Sequence, residues 1–176
     1  MPNKKFTPQP EIAGKTYLSK AAGKFSKTPQ RTVQAWTERG LVISETTGTG
    51  DRRRYTVLNC IEIGVIASLA EDRVSFKVID QAMREIRIGT PLTLEEALGD
   101  NRAFLIIRFY ESQEVGVSCV SNERFGQRSG IEGEKRDFKT YWVDTTVPKD
   151  KQHIKTHVID LSYIKRKMLE QMLKEA

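Results

Sequence analysis

Residues 52–54 are three consecutive arginines, preceded by Gly48-Thr49-Gly50-Asp51 and closed by Tyr55. A guanidinium remains charged at every physiological pH and presents a planar fork of N–H donors that grips phosphate oxygens in pairs, whereas a lysine acts as a point charge. Glycines beside such a run let the turn approach a surface closely. On an extended strand Arg52, Arg53 and Arg54 alternate faces, so two of the three can engage one polyanion at once. A second group lies upstream, where Lys27, Gln30, Arg31 and Gln34 fall opposite Val33 and Trp36. Arginine and glutamine are the residue types that read guanine and adenine edges, and Lys27 or Thr28 at a helix start can touch phosphate. Trp36 reads as core rather than as a stacking platform.

Other candidate chemistry fails on spacing. His153 and His157, the two histidines of the chain, lie in a strand-like stretch whose rise separates the rings by about 12 Å, too far to share a metal. The loop from Gly126 to Gly133 lacks the Gly-Lys-Ser/Thr ending of a phosphate-binding loop. Cys60 and Cys119 sit among apolar residues in periodic segments, which predicts packing thiols rather than a disulfide framework, a four-ligand zinc site or a nucleophile. No metal, no cofactor and no catalytic constellation is expected.

The elements that must position the basic groups follow from periodicity. Tyr17, Leu18, Ala21, Ala22 and Phe25 recur at helical intervals, with Lys20 and Lys24 on the other side. Ser26 and Thr28 are N-cap candidates for a second helix with Pro29 at its first position and Gly40 as its stop. Two short helices so joined predict a helix-turn-helix. Residues 42–57 carry β-branched flanks around a Gly/Asp/Thr turn, which predicts a hairpin with the arginines on its tip and return strand. Two helices follow, one with Leu58, Ile61, Val65, Ile66 and Leu69, the other with Phe76, Ile79, Met83 and Ile86, each burying one stripe.

Beyond them the pattern changes. Gly89, Pro91 and Gly99 mark residues 89–101 as a linker holding one short helical turn. Strands are expected at 103–110, 114–121, 138–147 and 154–159, followed by a final helix capped by Asp160 with Leu161, Ile164, Met168 and Met172 on one stripe. Phe104, Phe109, Tyr110, Phe138, Tyr141 and Trp142 are read as packing that sheet against the last helix in preference to lining an effector pocket. The expected fold is α+β: a flexible basic arm over 1–15, a winged helix-turn-helix domain over 16–88, the linker, and a small β-rich dimerisation or sensor domain over 102–176 that ends in an amphipathic helix.

Charge supports the same partition. The net +6 is concentrated in residues 1–60, with eleven Lys/Arg against four Asp/Glu. Such asymmetry attracts polyanions, nucleic acid or anionic membrane. No apolar run approaches the ~20 residues that span a bilayer, and no apolar stretch follows the N-terminal charges to make a signal peptide, so the cytoplasm is the expected compartment.

At Arg31-Thr32-Val33-Gln34-Ala35-Trp36-Thr37-Glu38-Arg39-Gly40-Leu41 and Arg53-Arg54-Tyr55-Thr56 the chain resembles the MerR-like winged-helix transcription regulators. The likeness continues through Cys60, Ile63 and Ile66 and the segment Val74–Met83, and covers about residues 16–88. It implies double-stranded DNA as partner, a recognition helix in the major groove, an arginine wing on the adjacent backbone or minor groove, a homodimer, and regulation by distortion of promoter DNA. It thereby assigns Lys20, Lys27, Thr28, Gln30, Arg31, Gln34, Arg52, Arg53, Arg54 and Tyr55 to DNA contact. Gln34-Ala35-Trp36 replaces the family's Arg-Tyr-Tyr, which removes one arginine and one tyrosine from that set. The glycines and proline of the linker interrupt the long dimerisation helix of the family, so pairing is expected through the C-terminal helix, with Met168, Met172 and Leu173 as a seam, or through a sheet edge. Two other readings are an excisionase-like architectural factor that bends DNA and an enzyme with its active site in the second half.

Overall fold

A computed structural model describes residues 5–45, 52–88, 92–99, 103–110, 115–121 and 153–175. A short strand, β1 (Thr16–Leu18), runs into α1 (Ser19–Ser26), and α2 (Gln30–Glu38) follows. The first turn of the expected helix is therefore strand, and Leu18 is exposed. Lys27 adopts left-handed backbone (φ 56°), and the N–H groups of Lys27 and Thr28 reach back to the carbonyls of Lys24 (3.3 Å) and Gly23 (2.8 Å). That double closure reverses the chain within one turn. It also demands Gly23: a Cβ there would stand 2.4 Å from the Thr28 carbonyl oxygen. Gly40 (φ 74°) ends α2 in the same way, with Leu41 N–H on the Trp36 carbonyl at 2.9 Å.

The expected caps of α2 are not used. Pro29 occupies the N-cap position, one residue before the place predicted for it, and the Ser26 hydroxyl turns back to the carbonyls of Ala22 and Gly23. Proline fixes φ there without help from a side chain.

The arginine strand has a partner that the expected hairpin does not include. β2 (Arg54–Thr56) pairs antiparallel with β1, Leu18 opposite Arg54, Tyr17 opposite Tyr55 and Thr16 opposite Thr56. From the expected first arm of the hairpin, Glu45 N–H bonds the Arg54 carbonyl at 2.9 Å. The predicted tip, Gly48 to Asp51, lies outside the described residues.

Thr56 and Asn59 form a reciprocal capping box that starts α3 (Val57–Glu71). The Asn59 N–H donates to Thr56 Oγ1 at 3.2 Å and the Thr56 N–H to Asn59 Oδ1 at 3.0 Å. α3 buries far more than one stripe. Every residue from Cys60 to Ala67 is buried, because α1, α4 (Phe76–Ile88) and the C-terminal helix all pack on it. The one charge in that stretch, Glu62, takes a two-pronged bond from Arg87 of α4 at 3.0 and 3.1 Å, and the same guanidinium donates to the Leu41 carbonyl at 2.6 Å. Phe76, predicted for the α4 stripe, is instead exposed, with Arg39 5.5 Å above its ring.

The segment read as a flexible arm is docked over residues 5–15. Ile12 is fully buried, and the Phe6 N–H bonds the Glu95 carbonyl at 3.0 Å. One isolated isoleucine among prolines carries no periodic signal. Within the expected linker, Thr93 and Glu96 cap α5 (Leu94–Gly99), which buries Leu94, Ala97 and Leu98.

The second region is a three-stranded antiparallel sheet, order β4-β3-β5, from β3 (Ala103–Tyr110), β4 (Val115–Ser121) and β5 (His153–Asp160), then α6 (Leu161–Leu173). Alternation sends Ala103, Leu105, Ile107, Cys119 and Ile159 into the main core, and Phe104, Ile106 and Val158 to a small cluster of their own. The strand and aromatics predicted at 138–147 lie outside the described residues. Asp160 caps α6 as expected, accepting the Tyr163 N–H at 3.0 Å. Leu161, Ile164, Met168 and Met172 are all buried, and α6 reaches α3 closely enough that a Cβ on Gly64 would meet Ile164 at 3.0 Å and Met168 at 3.2 Å. One apolar cluster therefore runs from Phe25 and Trp36 to Met172. The proposed pairing seam of Met168 and Met172 is thus occupied within the chain.

Candidate nucleic-acid interface

The arginine run that leads into β2 is divided. Arg52 and Arg54 are exposed, whereas the Arg53 side chain is 15% exposed and lies against α2. Its guanidinium donates to the Gln34 carbonyl at 3.3 Å and stands 3.6 Å from the Glu38 carboxylate. Strand alternation gives this directly: with Arg54 outward, Tyr55 and Arg53 are drawn toward the helix side. Tyr55 is fully buried. Its hydroxyl is 2.8 Å from Thr37 Oγ1, and because Thr37 donates to the Val33 carbonyl at 2.9 Å, Tyr55 is the donor of that pair. Tyr55, expected at the DNA surface, is thus placed with its ring in the core and its hydroxyl pinning the strand to α2. Arg53 is placed as a tie between the same two elements.

The helix-turn-helix groups are arranged differently. Lys20 and Lys27 are exposed on α1 and its turn, and Arg31 is exposed on the first turn of α2. Thr28 is half-buried, its hydroxyl 3.4 Å from the Ser26 carbonyl. Gln30 and Gln34 are half-buried, one turn apart, and each brings its amide nitrogen to 3.5 Å from Ser19 Oγ. Val33 and Trp36 face inward, 0% and 4% exposed, as the helical spacing predicts.

Ser19, Gln34 and Arg53 therefore link the start of α1, the face of α2 and the arginine strand into one unit. Sequence reasoning missed Ser19 and Thr37. Both acquire partners only when β1 pairs with β2 and the helices close on them, so no local signal marks them. Close by, burial, followed by Cys60 and Glu175, pushes the Tyr17 phenol above its ordinary pKa. Its ring meets Phe25 edge-on at 5.0 Å. Among the described residues no cluster of His, Cys, Asp and Glu is arranged to hold a metal ion, and no helix is long and apolar enough to cross a membrane.

Residues 17–86 match the family model described as MerR HTH family regulatory protein. The match runs from β1 almost to the end of α4, so that residues 17–86 are similar to a MerR-type helix-turn-helix region. The sheet and α6 lie outside it. No curated protein matches the chain.

Proposed function

We propose, with the MerR-like helix-turn-helix of residues 17–86 as premise, that the chain is a sequence-specific double-stranded DNA-binding transcriptional regulator that acts by binding rather than turnover. In this reading α2 enters the major groove and presents Arg31, Gln30 and Gln34 to base edges. Lys20, Lys27 and Thr28 lie toward phosphate, and Arg52 and Arg54 follow the adjacent backbone from the wing position. Arg53 and Tyr55 act from behind, by fixing the strand to α2. The observation that carries the reading is the junction just described: a buried tyrosine and an inward arginine lock an arginine strand onto a helix whose Arg31 is exposed. A twofold operator calls for two copies of the chain, paired through a surface other than the enclosed methionine stripe of α6.

The test is anisotropy titration of labelled duplexes across a salt series. Affinity falls steeply with salt, and Arg54→Ala lowers the slope by about 0.9 for the phosphate contact it loses. Arg31→Ala and Gln34→Ala change which duplex is preferred, by about 1–3 kcal/mol at the affected base pair. Arg53→Ala leaves the slope at the wild-type value. A chain that shows no preference among duplexes selected from a random pool refutes the reading, and strong bending of every duplex alike would favour an architectural role.

A further inference from the structure

Lys20 and Lys24 stand one turn apart on α1, and Lys27 follows at its left-handed end; all three are exposed. α2 packs on the adjoining flank of α1, where a Cβ on Gly23 would meet the Thr28 carbonyl and, at 3.5 Å, the Val33 side chain. Lys24 is the next residue, about 100° round the helix, so the lysines form a row beside the helix assigned to the major groove. Among the described residues, Lys24 is the one of the three that meets a carboxylate. Its ammonium is ion-paired with Glu175, in the terminal turn after α6. The Glu175 N–H bonds the Met172 carbonyl at 3.2 Å, and Met172 is fully buried, so the anchored end of α6 holds that carboxylate against α1. Resting on the DNA-binding role above, we propose that Lys24 is a further phosphate contact which Glu175 holds in reserve, so that the C-terminal end of α6 lowers the affinity for DNA.

The chemistry favours an exchangeable pair over a structural tie. A tie that holds this fold is shielded and bonded at several points, as Arg87 is to Glu62 and the Leu41 carbonyl. The Lys24 side chain is 72% exposed and that of Glu175 32% exposed, so water and salt screen their attraction and it adds little to folding. A lysine ammonium is a point charge on a flexible stem, free to swing from one anionic oxygen to another. The Glu175 backbone cannot follow it away. Its carboxylate therefore opposes binding twice, as a competitor for the ammonium and as a like charge beside the phosphate that takes it. That charge already acts on the flank of α1: after burial and Cys60, it is the third cause that raises the Tyr17 phenol. Because α6 continues directly from β5, the contact gives the sheet region a means of setting DNA affinity without touching α2.

The experiment is a double-mutant cycle on the full chain: wild type, Lys24→Gln, Glu175→Gln and the pair together. Each is titrated across a salt series against the duplex that wild type selects from a random pool and against a single-base variant of it. Glu175→Gln is expected to tighten binding about threefold, the scale of an exposed ion pair. Lys24→Gln weakens binding and takes about 0.9 off the salt slope. Adding Glu175→Gln to Lys24→Gln gives no gain, which separates loss of a competitor from a general change in net charge. Both substitutions act on the selected duplex and its variant alike, as a phosphate contact must, and leave the melting temperature near that of wild type. An unchanged affinity in Glu175→Gln, an equal gain in the double variant, or an unchanged slope in Lys24→Gln overturns the inference, while selection of a duplex by wild type keeps DNA reading intact. A wild-type chain that selects no duplex overturns DNA reading, and the inference with it.

Discussion

The helix-turn-helix region and the sheet region are held by different means. In the first, beyond the short β1–β2 ladder, side chains make ties between elements: Arg53 to Gln34 and Glu38, Tyr55 to Thr37, and Arg87 to Glu62 and Leu41. In the second, backbone ladders between β3, β4 and β5 do so, supplemented by Ser162 accepting from the Ala103 N–H at 2.8 Å and Lys165 donating to the Leu98 carbonyl at 2.7 Å. The difference shows why charge alone misdirects. A region that ties its elements with side chains draws part of its positive charge inward, so that an arginine beside two exposed ones has another task.

The largest break in this comparison is expected at Arg87. Its removal leaves the Glu62 carboxylate, 6% exposed, without its cation, and the Leu41 carbonyl without that donor. Stranding a buried charge typically costs about 3–5 kcal/mol. Urea unfolding of Arg87→Ala should show a loss of that size, and a loss under 1 kcal/mol would mean that the pair contributes little to joining α3, α4 and the end of α2.

Next in size is Met172→Ala. Met172 is fully buried on an element that joins the two regions, since α6 continues directly from β5 and packs on α3 and α1. Truncation of a buried methionine costs about 2–5 kcal/mol. Because the apolar cluster is continuous, both regions should melt in one transition in this variant as in wild type. Two resolved transitions would show that α6 docks without coupling them.

The sequence was unequally legible across this divide. Val33, Trp36, Gly40, the Asp160 cap and the Leu161–Met172 stripe are all set by local spacing, and the structure has them where spacing puts them. Three features depended on contacts remote in sequence. β2 takes β1 as a partner in addition to the contact from its hairpin arm, Ile12 finds a core from within a proline-rich stretch, and α3 is enclosed on all sides over Cys60–Ala67 although its apolar residues can be read as a single stripe. The candidate site follows the same rule. Arg31 and the glutamines were visible as residue types on a helix face, while the burial of Tyr55 depends on the strand register and that of Ser19 on the closure of α1 against α2.

A smaller effect sharpens the assignment of the arginine strand. Tyr55→Phe removes the hydroxyl that donates to Thr37 and keeps the ring in the core, so it should cost about 1 kcal/mol, the ordinary net contribution of a hydrogen bond. Duplex affinity measured well below the melting temperature should remain within twofold of wild type. A tenfold loss of affinity with unchanged stability would return Tyr55 to the DNA surface and contradict its buried position.

The smallest expected effect is the absence of a difference, and the two cysteines measure it. Cys60 lies in α3 and Cys119 in β4, both buried and free, so each region carries one thiol reporter. Burial pushes both thiols above their ordinary pKa, Cys119 to about 12 with Glu96 adding to the shift. The folded chain therefore keeps protons that the unfolded chain releases from about pH 8.5. The resulting stabilisation is complete below that pH and is lost progressively as pH rises toward 12. At pH 8, alkylation of either thiol requires opening of its surroundings. If the shared core makes the regions one cooperative unit, both cysteines alkylate with the same dependence on urea, and mass spectrometry of the labelled peptides finds them modified in step. Faster labelling of Cys119 at low urea would show the sheet opening while α3 stays closed, which would divide the molecule where the family match ends.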